Sequence, residues 1–211
     1  MMQNINTILF DFGGVLVDLD KEACLEAFKK LGVRNLNEYI SNYAQSGLFL
    51  QLEKGLISPE YFHDQVRMMS DRNISDEEID NAWNEFLITI PAYKLDFLLE
   101  LRKKYRVLLL SNTNVIHFNQ KGKSEFEKQG LSLNHYFDKC YLSFELGMAK
   151  PNEDIFKHVL RNEQAKAHEI LFLDDGKQNI EIAKKIGFTT YLVKEKEDFR
   201  PLFSNFTALW N

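Results

Sequence analysis

The sequence is poor in cysteine, short of positive charge and without a long apolar run. Its two cysteines, Cys24 and Cys140, have no metal-ligand spacing and are too few for a disulfide framework. They read as small core residues of a chain kept in a reducing compartment. Lys and Arg number 26 against 31 Asp and Glu, a formal charge of −5. That balance argues against a general nucleic-acid binder, whose affinity comes mostly from neutralising phosphates. No run approaches the apolar length of a membrane span. The opening MMQNINTILFDFGGVLVDLD has no basic lead, and Asp11 interrupts its apolar stretch, so it does not read as a signal peptide. The five histidines show no metal spacing, and Gly13-Gly14 lacks the pattern of a dinucleotide fingerprint. Repeats and low-complexity tracts are absent. The expectation is a cytoplasmic protein, monomer or homodimer, with neither membrane nor nucleic acid as partner.

What is present is ordinary globular material: 45% hydrophobic and 27% charged residues over 211 positions. At about 150 residues per domain this length lies between one domain and two. Five short apolar runs stand out: 8–10, 107–110, 140–142, 170–173 and 190–193. Bare runs of this kind suit strands of a parallel sheet covered on both faces. Helical periodicity fills the gaps between the later runs, with Leu95, Leu98 and Leu99 on one face, then Ile155, Phe156 and Val159, then Ile180, Ala183 and Ile186 before Gly187. Alternation of strand and helix predicts a doubly wound α/β fold.

Residues 15–91 break that rhythm. They are rich in helix formers, with Ser58-Pro59-Glu60 and Ser75-Asp76-Glu77-Glu78 as helix starts. We read them as a helical cap inserted into a core formed by 1–14 and 92–211. The cap holds 7 Lys and Arg against 14 Asp and Glu, whereas the remaining 134 residues hold 19 against 17. The acidity therefore belongs to the cap, where it reads as a solvated helical surface.

Four of the apolar runs end at, or lead into a loop with, a polar residue of chemical interest: Asp11, Ser111 with Asn112, Lys150, and Asp174-Asp175. Parallel α/β sheets bind ligands outside the carboxyl ends of their strands, so these groups are expected to share one crevice. Paired or tripled carboxylates suit Mg²⁺, which prefers hard oxygen ligands. A lysine and a serine hydroxyl suit phosphate oxygens, and an Asp can act as nucleophile through an acyl phosphate.

At these residues the sequence resembles the haloacid dehalogenase-like (HAD) superfamily, in the subfamily with a helical cap after the first strand. The matching motifs are ILFDFGGVLVD, LLLSNTN, GMAKPNEDIF and LFLDDGKQNI. Within the family it is most similar to sugar-phosphate phosphatases of the glucose-1-phosphate phosphatase type. The resemblance implies a Rossmann-like core, a Mg²⁺ cofactor and a small phosphorylated substrate, with a sugar phosphate favoured. It implies Asp11 as nucleophile and metal ligand, the Gly13 carbonyl and Asp175 as further ligands, and Asp174 bound directly or through water. Ser111, Asn112, Lys150 and Gly14 would hold the phosphoryl group, Asn179 would orient the acidic loop, and cap residues Glu53 and Gly55 would touch substrate. The acidic pair argues for Mg²⁺ chemistry and against dehalogenation, which uses a Ser-Ser-Asn type fourth motif.

One position departs from the family. Most of its phosphatases carry a second Asp two residues after the nucleophile, and here that position is Gly13. General acid-base help is worth about 10²–10⁴-fold. Three readings follow: a leaving group that needs little protonation, such as an anomeric sugar; another acid, with Asp18 or Glu53 as candidates; or a weak or silent phosphate-binding module. A phosphoaspartate receiver is disfavoured, because it places its acidic pair on the first strand. His117 is expected as a core or surface residue, and Trp83 as core, since it shares a helix face with Phe86 and Leu87.

Overall fold

The five apolar runs form one sheet of parallel strands in the order β3-β2-β1-β4-β5. They are β1 (Thr7–Phe10), β2 (Arg106–Ser111), β3 (Lys139–Leu142), β4 (Ile170–Asp174) and β5 (Thr189–Leu192). The computed structural model describes residues 4–34 and 47–203. The last strand begins and ends one residue earlier than its apolar run.

Alternation along the strands explains the two covered faces. Ile8, Phe10, Val107, Leu109, Leu171 and Leu173 enter one apolar cluster, together with Leu95, Leu98 and Leu101 of the helix Ala92–Leu101. Leu9, Leu108, Leu110, Ile170 and Phe172 enter the opposite cluster, with Ile155, Phe156 and Val159 of the helix Glu153–Glu163 and Ala183 of the helix Lys177–Ile186. Gly187 ends the last of these in a left-handed conformation, φ 111°. This is the doubly wound, Rossmann-like fold that the pattern of runs predicts.

A third cluster lies among the helices that follow β1. It contains Cys24, Phe28, Phe49, Leu52, Phe62, Val66, Ile79 and Trp83, plus Ile116 from beyond β2. Ser58 caps the helix Pro59–Met68, its hydroxyl accepting from the Tyr61 amide. Ser75 and Glu78 form a capping box on the helix Asp76–Asn84. Val15, Leu16, Val17, Leu87 and Ile90 pack instead with the sheet, and Leu19 bridges antiparallel to Leu87. Chain entry to and exit from the helices thus run side by side. Phe199 and Phe203 of the aromatic C-terminal stretch pack in the sheet cluster, with Leu202 against it; residues 204–211 lie outside the described residues. Among the described residues no helix is long and apolar enough to cross a membrane.

Candidate active site

The strand order reverses at β1, which lies between β2 and β4. That switch point opens a crevice at the carboxyl ends of the strands. Asp11 directly follows β1, and its amide donates to the Leu173 carbonyl of β4 at 2.9 Å. Ser111 is the last residue of β2 and Asp174 the last of β4. Lys150 arrives from the loop beyond β3.

The lysine organises the centre. Its Nζ lies 2.7 Å from Asp11 Oδ1 and 2.7 Å from Asp174 Oδ2, and all three residues are buried. Asn112 sets the loop that carries it, through two reciprocal bonds: its amide Nδ2 donates to the Lys150 carbonyl, and its Oδ1 accepts from the Lys150 amide, each at 2.8 Å. Asp174 has both oxygens engaged. Oδ1 accepts from the Gly176 amide at 2.7 Å and from Asn179 Nδ2 at 2.9 Å, while Oδ2 takes the lysine. Asn179 therefore orients the acidic loop from the first turns of the next helix.

Asp11, Asp174 and Asp175 each offer an oxygen within 4.8 Å of the others. Burial pushes the Asp11 carboxyl well above its ordinary range; Lys150 opposes the rise, and Asp174 and Asp175 add to it. Asp175 is raised by partial burial and by Asp174. Burial alone would lower the Lys150 pKa, but Asp11 and Asp174 overcome it and hold the ammonium charged. Three carboxylates thus face one ammonium, an imbalance that a divalent cation would correct. Ser111 adds a second sign of an anion and cation pair. Its Oγ is buried and has no hydrogen-bond partner among the described residues, whereas buried hydroxyls are normally satisfied.

Two glycines shape the turn after Asp11. Gly14 adopts φ +71°, and a Cβ there would overlap Asp175 Oδ2, so the Asp175 carboxylate lies directly on its α-carbon. At Gly13, a Cβ would meet the Leu19 methyl Cδ1 at 3.4 Å. The place into which an acid at that position would project is therefore lined with hydrocarbon. Asp18 lines a cleft of about 350 Å³ together with Gly14, Leu19 and Asp175. It is held by Lys94, whose buried Nζ lies 3.6 Å from it and donates to the Val15 carbonyl at 2.7 Å.

In the helical insertion, Phe49, Leu52 and Trp83 are core of the helical cluster, the last as expected, and Gln51 is exposed. Glu53 is buried, and its carbonyl accepts from Ser143 Oγ at 2.6 Å. Gly55 lies against the Phe144 carbonyl. His117 is a buried core residue. Its Nε2 donates to the Trp83 carbonyl at 2.9 Å, and its ring stacks on Trp83 at 4.4 Å and 21°. Sequence reasoning missed three supports: the Asn112 side chain, Lys94 and Ser143. Only Ser143 carried a signal, since it directly follows β3 as Asp11 follows β1.

Comparison with known proteins matches residues 5–187 to the haloacid dehalogenase-like hydrolase family. The chain is 40% identical over 196 residues to D-ribitol-5-phosphate phosphatase of Bacteroides thetaiotaomicron, an alignment covering 93% of this chain and 95% of that protein. A HAD family enzyme from the same organism, solved in complex with magnesium and inorganic phosphate, is 47% identical with a TM-score of 0.89, covering 94% of this chain and 99% of the other. A HAD-like family hydrolase from Porphyromonas gingivalis has a TM-score of 0.89 at 36% identity, covering 97% and 98%. Matched over most of its length and carrying the motif acids at the ends of β1 and β4, the chain belongs to the haloacid dehalogenase-like hydrolase family.

Proposed function

We propose that the protein is a Mg²⁺-dependent phosphatase that hydrolyses a sugar or sugar-alcohol phosphate through an aspartyl-phosphate on Asp11. The observation that carries this reading is the charge arrangement of the crevice: three carboxylates within 4.8 Å around one buried ammonium, beside the unpartnered Ser111 hydroxyl. The likeness to D-ribitol-5-phosphate phosphatase supports the substrate class. Ribitol has no anomeric carbon, so that likeness lends nothing to an anomeric leaving group as the explanation of Gly13.

Asp11, Asp175 and the Gly13 carbonyl are the groups that would hold Mg²⁺, and Asp174 fits better as an organiser because both its oxygens are taken. The cation would supply positive charge against the transferring phosphoryl group. Lys150 neutralises the equatorial oxygens and offsets part of the rise that burial imposes on the Asp11 carboxyl. Ser111 Oγ donates to a phosphoryl oxygen, with the Asn112 backbone beside it and the turn at Gly14 closing the pocket. Asp11 attacks phosphorus, the bond from phosphorus to the ester oxygen breaks, and the leaving alkoxide takes its proton from water. Water then attacks the phosphorus of the aspartyl-phosphate, releasing inorganic phosphate and regenerating Asp11.

We assign residues 15–91 to a cap over a core of 1–14 and 92–211. The separate apolar cluster of the helices and the paired entry and exit at Leu19 and Leu87 support this division. Glu53 and Gly55 lie against Ser143 and Phe144, and Ser143 also meets Thr113, two residues beyond Ser111; on that ground we take Glu53 as the substrate-facing candidate of the cap.

The test is phosphate release from a panel of sugar, sugar-alcohol, nucleotide and aryl phosphates, with Mg²⁺ and with chelator. Turnover of a sugar-alcohol or sugar phosphate that chelator abolishes is expected, and Asp11→Asn should lower it by at least about 10³-fold. Absence of turnover on every compound overturns the reading in favour of a silent phosphate-binding module.

A further inference from the structure

The cap loop and the phosphate loop meet at one buried hydroxyl that the proposed mechanism does not use. Ser143 follows β3 and is fully buried. Its Oγ lies 2.6 Å from the Glu53 carbonyl and 2.9 Å from the Thr113 carbonyl, and it accepts from the Thr113 amide at 3.0 Å. Thr113 is two residues beyond Ser111. The next residue, Phe144, supplies a second contact. Its carbonyl occupies the place where a side chain on Gly55 would begin, and Gly55 holds φ +62°. Two adjacent residues of the core thus seat both ends of the segment 53–55, one by a hydrogen bond and one by a backbone approach that only glycine permits. The loop is further closed on itself, the Gly55 amide donating to the Leu52 carbonyl at 3.0 Å and the Leu56 amide to the Gln51 carbonyl at 2.8 Å.

We propose that Ser143 is a positioning residue for substrate selection: its hydroxyl locks the Glu53–Gly55 loop onto the Ser111–Thr113 loop, so that the cap presents Glu53 in a fixed place relative to the phosphoryl group. This rests on the phosphatase reading above. The physical basis is that a buried carbonyl left without its donor costs enough to unseat a short loop. Of the phosphoryl-binding groups, Lys150 and Asp11 are held by Asp174, Asn112 and Asn179, and Ser111 is held by its place at the end of β2, in register with Leu142. Ser143 should therefore govern the affinity for the alcohol part of the substrate and leave the affinity for phosphate alone.

The experiment compares wild type, Ser143→Ala, Gly55→Ala and the double variant. The readouts are KM and kcat for a five-carbon sugar-alcohol phosphate, inhibition by inorganic phosphate, and amide hydrogen exchange over residues 48–56. Each single variant is expected to raise KM about ten-fold, the scale of one lost buried hydrogen bond. kcat should change far less, and inhibition by inorganic phosphate should stay within two-fold. Exchange over 48–56 should speed up in both. Because the two residues act on one seat, the double variant should be no worse than the poorer single one. Equal weakening of substrate and inorganic phosphate, additive effects in the double variant, or an unchanged KM in Ser143→Ala overturns the proposal. If wild type turns over no sugar-alcohol phosphate, the phosphatase reading fails at its substrate, and hydrogen exchange alone still decides the seat: unchanged protection over 48–56 in Ser143→Ala overturns it.

Discussion

At the scale of single residues, the site is a problem in charge and space. Lys150 bridges Asp11 and Asp174, and Asp175 is pressed on the α-carbon of Gly14. Gly14→Ala tests the spatial half. The new Cβ meets the Asp175 carboxylate and the left-handed backbone resists a side chain. The variant should fold, need a markedly higher Mg²⁺ concentration for half-maximal activity, and lose about 10²-fold in rate at saturating metal, the cost of a small misplacement. A Mg²⁺ titration of the rate checks both. Asp11, Ser111 and Asp174 were legible in the sequence because each stands where an apolar run stops, and a parallel sheet gathers such positions into one crevice. Lys150 was legible as the cation of the loop that follows the third run, and Asn179 only through family resemblance, since it lies within a helix rather than at a strand end. The Asn112 side chain was not legible, because its work is to grip the main chain of a loop 38 positions away, and no local pattern records that approach.

At the scale of elements, two buried polar side chains fix the paired linkers. Lys94 holds the first through the Val15 carbonyl and Asp18. Glu125 holds the second, accepting from the Ile90 amide and from Thr89 Oγ1, each at 2.8 Å. Lys94 faces the sheet from a helix whose sequence suggests a solvated lysine; its burial follows from a carbonyl that only the folded turn presents. Lys94→Met leaves that carbonyl and Asp18 without a partner and should cost roughly 2–3 kcal/mol, read from urea unfolding. The junction at His117 makes a prediction in pH. Burial lowers its pKa from 6.5 to about 4, and because a carbonyl only accepts, Nε2 carries the proton of the neutral ring. Above pH 6.5 both folded and unfolded chains hold it neutral. As pH falls from 6.5 to 4 the unfolded chain takes up a proton that the folded chain refuses, so stability drops across that window by about 3 kcal/mol in all. Urea midpoints of wild type should therefore fall more steeply between pH 6.5 and 4 than those of His117→Gln, which lacks this titration. Parallel slopes contradict the assignment.

At the scale of the whole molecule, the overall charge of −5 conceals a division. The segment 15–91 carries the acidity, while the rest of the chain is nearly neutral and holds Lys150, buried between Asp11 and Asp174. The fold was almost entirely legible, because short bare runs separated by helical periodicity admit few arrangements. The departure at Gly13 was legible as an absence, but its physical setting was not: the Leu19 methyls that border the position come from a residue six positions on that bridges to Leu87. The central claim is that phosphoryl transfer passes through Asp11. Its most direct test is rapid acid quench of wild type during turnover of a sugar-alcohol phosphate with Mg²⁺, followed by mass measurement of the peptides. The account predicts one phosphoryl group on the peptide containing Asp11, absent in Asp11→Asn. Sustained turnover by Asp11→Asn, or a phosphoryl group on a different residue, would contradict it.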